Sequence, residues 1–301
     1  VLAYLVRAEG ASLHASLGTM SGCLLNIVLD PIFILPWGFH MGAAGAGLAT
    51  FISNCVACLY FFGRLYTKRK TTYVCVKPQM AKPDRRVLLG ICAVGIPASI
   101  QNLLNVTGMT ILNNMTASFG EDAVAAMGIS HKISMIPMQI AFGLSQGIMP
   151  LVSYNFASKN YVRMKKSFWY TARISLIFMA VVTAGLCLGS GGVVNMFMKD
   201  AAVVGYGTKF LRGFALGMPF LCMDFLAVGV FQACGMGMKS FIFAILRKIV
   251  LEIPALYLLN ALSPLYGIAY AQCAAEMILS AVAVIVLVKF FQGTQKKNGL
   301  E

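Results

Sequence analysis

Apolar segments long enough to cross a bilayer recur along the whole chain. A transmembrane α-helix needs about 20 predominantly apolar residues. Eight such segments lie between polar stretches, at about 12–35, 42–63, 87–115, 123–153, 168–190, 204–234, 240–262 and 266–290. Only 11% of the residues are charged, whereas a soluble domain carries about 25% and needs them at its surface. The sequence therefore predicts an all-α integral membrane protein with eight transmembrane helices.

The basic residues indicate how these helices are oriented. Lys and Arg cluster at 64–86 and at 159–166, between predicted spans, and again near the end of the chain. Cytoplasmic loops of membrane proteins are enriched in these residues. We therefore expect both clusters and both ends of this chain to lie on the cytoplasmic side of the plasma or inner membrane. The net charge of +14 then reflects topology, and no nucleic-acid partner is expected.

Four acidic residues lie inside predicted spans: Asp30, Asp224, Glu252 and Glu276. A charge at the centre of a transmembrane helix costs about 2.5–3.5 kcal/mol on insertion scales, so such residues are functional candidates. Asp30 follows Asn26 by one turn, which places both side chains on one helix face. Pro31 cannot donate a hydrogen bond and frees the nearby carbonyl of Asn26 or Ile27. These oxygens suit Na⁺, or the carboxyl takes a proton. The alternative is that Asn26 and Asp30 only join helices by hydrogen bonds.

The other intramembrane acids have less distinctive surroundings. Asp224 and Glu252 are candidates for binding a cationic substrate or a second coupling ion. An ion pair with a basic residue on its own helix is the alternative for Glu252, and Glu276 carries no further indication. Four basic residues are candidates to neutralise one of these acids: Arg247, Lys248, His131 and Lys132.

Two parts of the chain resemble each other. Residues 27–35 read IVLDPIFIL and residues 249–258 read IVLEIPALYL. Each is followed, after a short uncharged segment, by a run of small residues, at 42–50 and 267–275. Parallel repeats of this kind are typical of transporters in which two bundles rock about a site near the midplane.

The chain lacks the sequence signals of an enzyme. Its three histidines are scattered, and it contains no nucleophile elbow, no metal-ligand spacing and no glycine-rich phosphate loop. A channel would require a pore-lining ring supplied by repeated subunits, and no such repeat is present. We therefore expect neither catalysis nor a bound cofactor.

Motifs along nearly the whole chain resemble the multidrug and toxic compound extrusion (MATE) family. These motifs are RAEG at 7–10, LNIVLDPIFI at 25–34, GAAGA at 42–46, GIPASIQN at 95–102, IPM at 136–138, GLSQG at 143–147, PLVSYNFA at 150–157 and FQACG at 231–235, together with the segment 247–254. Members of this family have twelve helices in two six-helix lobes. The resemblance implies the last two helices of an N-lobe followed by a complete C-lobe.

On this plan the chain divides into four parts. Residues 1–63 form the end of the N-lobe, with the tail of helix four and helices five and six. Residues 64–86 form a cytoplasmic linker, residues 87–291 form the C-lobe with helices seven to twelve, and residues 292–301 form a cytoplasmic tail. The resemblance implies an N-terminally truncated chain and, at full length, a monomer.

The resemblance also implies a function. Related proteins export drugs, organic cations or metabolites by alternating access, as antiporters driven by Na⁺ or H⁺. Asn26 and Asp30 match an Asn–Asp pair of the N-lobe cation site, and Thr50 is a neighbour in that site. Asp224 falls near a C-lobe cation position of other members, although the span at 87–115 lacks the acidic partner. The expected partners are a small-molecule substrate and the lipid bilayer. A lipid-linked sugar or polysaccharide flippase is the alternative.

Overall fold

The computed structural model describes residues 1–36, 38–69, 72, 74 and 84–296, with side chains through Thr294. All regular elements of these residues are helical, as the sequence predicts. The chain forms two compact units, Val1–Pro83 and Asp84–Glu301. Most of the predicted linker at 64–86, and the end of the predicted tail at 292–301, lie outside the described residues, so the domain assignment stays a prediction.

The first unit contains three helices. They are α1 (Leu2–Ala8), α2 (Ser12–Ile34) and α3 (Gly42–Thr67). Helices α2 and α3 form a hairpin whose connection is held by backbone hydrogen bonds: the amide of Phe39 donates to the carbonyl of Ile32, and that of Met41 to the carbonyl of Phe33, both at 2.9 Å. The hairpin fixes which faces of α2 and α3 meet.

Small residues let the two helices of this hairpin approach closely. A β-carbon on Gly45 would lie 2.5 Å from the carbonyl oxygen of Phe33, and one on Gly22 would lie 3.0 Å from the β-carbon of Ala57. Close backbone approach through small residues is the usual packing of transmembrane helices. It brings Asp30, near the end of α2, beside the start of α3.

The second unit contains the remaining helices. They are α4 (Arg85–Ala117), α5 (Glu121–Ala157), α6 (Tyr161–Phe197), α7 (Ala201–Ala233), α8 (Gly237–Ile245), α9 (Ile253–Leu262) and α10 (Tyr266–Lys296). The side chains of Asp84, Asn160 and Asp200 accept backbone hydrogen bonds from the first turns of α4, α6 and α7. These capping bonds satisfy amides that a helix start leaves without partners.

Seven helices among the described residues are long and apolar enough to span a membrane: α2 to α7 and α10. Most of them run beyond the predicted spans, as α6 does from Tyr161 to Phe197, whereas α2 ends at Ile34, within its predicted span. The predicted span at 240–262 differs more. It is not one α-helix, because a π-helical segment, Leu246–Glu252, separates α8 from α9.

Helix α7 is the centre of the second unit. Within the most apolar 18-residue stretch of each helix, 78% of α7 is buried, whereas none of α4 is. Helix α7 packs against α5, α6 and α10, while α4 lies against α8 and α5 and touches the π-helical segment. A buried charged residue on α7, such as Asp224, therefore needs a partner within the protein, since lipid and water do not reach it.

Candidate cation site and buried charge network

The structure brings Asn26, Asp30 and Thr50 together in the first unit. The amide nitrogen of Asn26 donates to Asp30 Oδ1 at 3.1 Å and to Thr50 Oγ1 at 3.5 Å. The Thr50 hydroxyl donates in turn to the carbonyl of Ala46 at 2.9 Å. Because that bond uses its hydrogen, the Thr50 oxygen presents a lone pair to the group. The contact between Asn26 and Asp30 follows from their four-residue spacing on α2. The contact between Asn26 and Thr50 follows from the hairpin that brings α3 against α2.

This group offers oxygen ligands and no cation of its own. Asp30 takes part in none of the ion pairs found among residues 1–36, 38–69, 72, 74 and 84–294. Asn26 and Asp30 are half-buried, and Thr50 is exposed. Pro31 lies inside α2, and its missing N–H leaves the carbonyl of Ile27 without its helical donor. Carboxylate, hydroxyl and carbonyl oxygens are ligands for a hard cation, and the carboxylate also accepts a proton.

The second unit contains a buried charge network of five side chains. Arg247 Nε donates to Glu276 Oε1 at 2.8 Å, and Arg247 Nη1 lies 3.6 Å from Asp224 Oδ2. Lys248 Nζ lies 2.6 Å from Glu252 Oε1. All five residues are buried, from Glu276 at 0% exposed to Lys248 at 8%. The network joins α7 and α10 through the π-helical segment.

The π-helical segment allows two consecutive basic residues to be buried at once. Arg247 extends to the acids of α7 and α10, while Lys248 reaches α4, where its Nζ would lie 3.2 Å from a β-carbon on Gly108. A π-helical turn widens the helix and often marks a functional site. Pro254, in the first turn of α9, removes one donor from the backbone ladder just beyond the segment. The sequence shows the proline, but it does not reveal the change from α-helical to π-helical hydrogen bonding.

The structure partly changes the predicted partners of these acids. The same-helix ion pair considered for Glu252 is present with Lys248. Arg247 instead pairs with acids of other helices, including Glu276, which the sequence left without a role. His131 packs edge-to-face on Phe214, and Lys132 is exposed. Neither enters an ion pair in the described part of the chain, so they do not neutralise these acids.

Asp224 and Glu252 therefore belong to one network without contacting each other directly. Each has a basic neighbour, in contrast to Asp30. Their predicted role in binding a substrate or second cation stays a prediction. The pairing of Arg247 with Glu276 could have been found by noting that both are ionisable residues in the middle of apolar segments, where opposite charges usually pair with one another.

Comparison with known proteins identifies similar chains. A family model described as MatE matches residues 97–258. The multidrug export protein MepA of Staphylococcus saprophyticus is 33% identical over 288 residues, which are 95% of this chain and 62% of the relative. MepA of Staphylococcus aureus is 35% identical over 289 residues, with the same coverage. The chain thus spans less than two thirds of the length of these relatives.

Solved structures resemble the chain over nearly its whole length. A crystal structure described as MATE in the straight conformation has a TM-score of 0.88 and 26% identity, and the match covers 97% of this chain and 65% of that one. The outward-facing conformation of a multidrug resistance MATE family transporter of the MOP superfamily has a TM-score of 0.89, with the same identity and coverage.

Proposed function

Because this chain belongs to the MatE family of multidrug and toxic compound extrusion transporters, we propose that it forms part of a cation-coupled antiporter. The antiporter exports drugs, organic cations or metabolites by alternating access. The names of its relatives, multidrug export proteins, support drug export. Members of the family are transporters and not enzymes. The flippase alternative is not favoured, because the similar proteins carry multidrug export names.

The observation that carries the coupling proposal is the Asp30 carboxylate. It lies within an apolar helix, beside the Asn26 amide and the Thr50 hydroxyl, and it has no ion-pair partner among the described residues. A carboxylate in this position is costly unless a cation or proton joins it. Binding of Na⁺ or H⁺ would remove that cost, and its release would restore it. This difference in free energy can drive one direction of a conformational cycle.

The proposed setting follows from the charge distribution. The apolar helices indicate a membrane protein, and we take the membrane to be the cell membrane. We take both ends of this chain to be cytoplasmic, because basic clusters like those of the sequence at 64–86 and 159–166 are typical of cytoplasmic loops. The partners are a small-molecule substrate and the surrounding lipid. The transporter works as a monomer, and no cofactor beyond the coupling ion takes part.

The test is dye efflux in everted membrane vesicles under an imposed Na⁺ or pH gradient. We expect gradient-driven efflux with the wild-type transporter carrying this chain, and its loss on Asp30→Asn at an unchanged membrane level. Glu121→Gln, an exposed acid at the start of α5, serves as the matched control and retains efflux. Full gradient-driven efflux by Asp30→Asn would overturn the coupling site, and dye efflux indifferent to both gradients would overturn antiport.

A further inference from the structure

The buried charges of the second unit do not balance. Three carboxylates, those of Asp224, Glu252 and Glu276, share the interior with two cations, Arg247 and Lys248, and each residue is less than a tenth exposed. One carboxylate is therefore in excess. An uncompensated charge in a low-dielectric interior is strongly unfavourable, and such a group takes up a proton instead.

The excess lies on one side of the network. Lys248 and Glu252 form a closed pair at 2.6 Å. The guanidinium of Arg247 is shared by two carboxylates, with a hydrogen bond to Glu276 at 2.8 Å and a looser contact of 3.6 Å to Asp224. One guanidinium cannot balance two carboxylates, so the missing positive charge belongs beside Asp224 and Glu276.

Both of these carboxylates have a free oxygen. Asp224 Oδ1 and Glu276 Oε2 are buried and have no hydrogen-bond partner among the residues described, and Glu252 Oε2 is in the same position. Glu252 differs in having a cation of its own, Lys248, at 2.6 Å. An added proton on Asp224 Oδ1 or Glu276 Oε2 leaves the contacts with Arg247 in place, since those use Asp224 Oδ2 and Glu276 Oε1. Unpartnered buried oxygens are rare in native proteins and require an explanation.

The other groups facing the network do not supply the missing charge. From α5, His131 lies near enough to Lys248 for their charges to interact, and a second cation there would be repelled. From α10, the buried thiol of Cys273 lies near Glu276 and brings no positive charge. From α4, Gly108 lies against Lys248 and Glu252 and has no side chain. From α6, the buried hydroxyl of Ser175 faces Cys222 of α7.

A small cavity, lined mostly by apolar side chains such as Met135, Phe214 and Leu221, lies about one helical turn from this pair. It measures about 20 Å³ and its lining includes His131, Ser134 and Gln272, and Gln272 precedes Glu276 by four residues on α10. The Ser134 hydroxyl is buried and has no hydrogen-bond partner in the described chain. The volume suits one water, for which these three polar side chains offer hydrogen-bond partners.

We propose that Asp224 and Glu276 share one exchangeable proton. Arg247 is the positioning residue: its single positive charge balances one of the two carboxylates, so the pair binds one proton and not two. A proton from water adds to one carboxylate oxygen, and its return to water restores the carboxylate, with no other bond changed. Arg247 already holds the position a metal cation would take between the two acids, so the site is selective for H⁺. The use of this proton site as a second coupling site rests on the proposed antiport. The presence of the shared proton does not depend on antiport.

The test is infrared difference spectroscopy of the purified transporter carrying this chain, following the C=O stretch of protonated carboxyl groups. An Asp30→Asn background removes the first unit's candidate acid. At neutral pH we expect one buried carboxyl band that shifts in D₂O. Asp224→Asn or Glu276→Gln should abolish it, because one carboxylate then faces Arg247. Arg247→Gln should roughly double it, because both carboxylates then lack a cation. Glu121→Gln should leave it unchanged.

Three outcomes would overturn the proposal. They are a wild-type protein with no carboxyl band at neutral pH, a band that survives both Asp224→Asn and Glu276→Gln, and an imidazolium signal that His131→Gln removes in its place. The wild-type measurement requires no variant to fold, and the amide I band reports the fold of each variant. Because the readout is independent of dye efflux, failure of this proposal is distinct from failure of antiport.

Discussion

The same four-residue motif ends differently in the two units. Residues 27–30 read IVLD in the first unit, and residues 249–252 read IVLE in the second. In each, the acid contacts the residue four positions earlier. Asp30 accepts a hydrogen bond of 3.1 Å from the Asn26 amide, whereas Glu252 is paired at 2.6 Å with the Lys248 ammonium. Related sequence thus gives an acid with a neutral neighbour in one unit and an acid with a built-in cation in the other.

The difference assigns different tasks to the two acids. Glu252 has a permanent counter-charge, so binding a further cation there gains little, and the pair instead ties the π-helical segment together beside α4. Asp30 accepts a hydrogen bond from a neutral amide and forms no ion pair in the described chain, so a mobile cation gains most at that position. The comparison is therefore tested by substituting the residue four positions before each acid, which is Asn26 in the first unit and Lys248 in the second.

Lys248→Asn is expected to have the largest effect, because it gives the second unit the neighbour found in the first. It leaves Glu252 buried without its cation, and breaking a buried pair from one side costs about 3–5 kcal/mol. We expect a loss of that size in the free energy of unfolding, measured in detergent. Adding Glu252→Gln should recover most of it. Lys132→Asn, an exposed lysine of α5, should change stability little, and an equal loss there would contradict the comparison.

Asn26→Lys is the reverse exchange and is expected to act on transport. A lysine one turn before Asp30 would place an ammonium on the carboxylate, as Lys248 does on Glu252, and would displace the coupling cation. Gradient-driven efflux should fall about 10- to 100-fold, which corresponds to about 1.4–2.8 kcal/mol. Efflux should fall less in Asn26→Met, because methionine is similar in length to lysine but uncharged. Equal losses in both variants would show that side-chain volume, not charge, matters at this position.

Much of the fold and part of each site could be predicted from the sequence. The apolar segments gave the helices, and four-residue spacing gave both the Asn26–Asp30 and Lys248–Glu252 contacts. The pairing of Arg247 with Glu276 spans 29 positions and two helices, so no local spacing indicates it. The π-helical segment was also missed, because a register change depends on backbone hydrogen bonds that residue patterns do not encode.

Gly108→Leu is expected to have the smallest effect, and it tests whether α4 packs against the closed pair. A β-carbon at this position would lie 3.2 Å from Lys248 Cδ and Nζ and 3.4 Å from Glu252 Oε1. These atoms cannot move away freely, because the two side chains are buried and bound to each other. Overpacking should lower the free energy of unfolding by about 1–2 kcal/mol.

Gly95→Leu, in the same helix, is the matched control, since nothing lies within 4 Å of the corresponding β-carbon there. Thermal unfolding in detergent measures both variants. If Gly108→Leu unfolds at the temperature of Gly95→Leu, then α4 does not confine the Lys248–Glu252 pair. The pair would then be free to separate, and Glu252, like Asp30, would be open to a mobile cation.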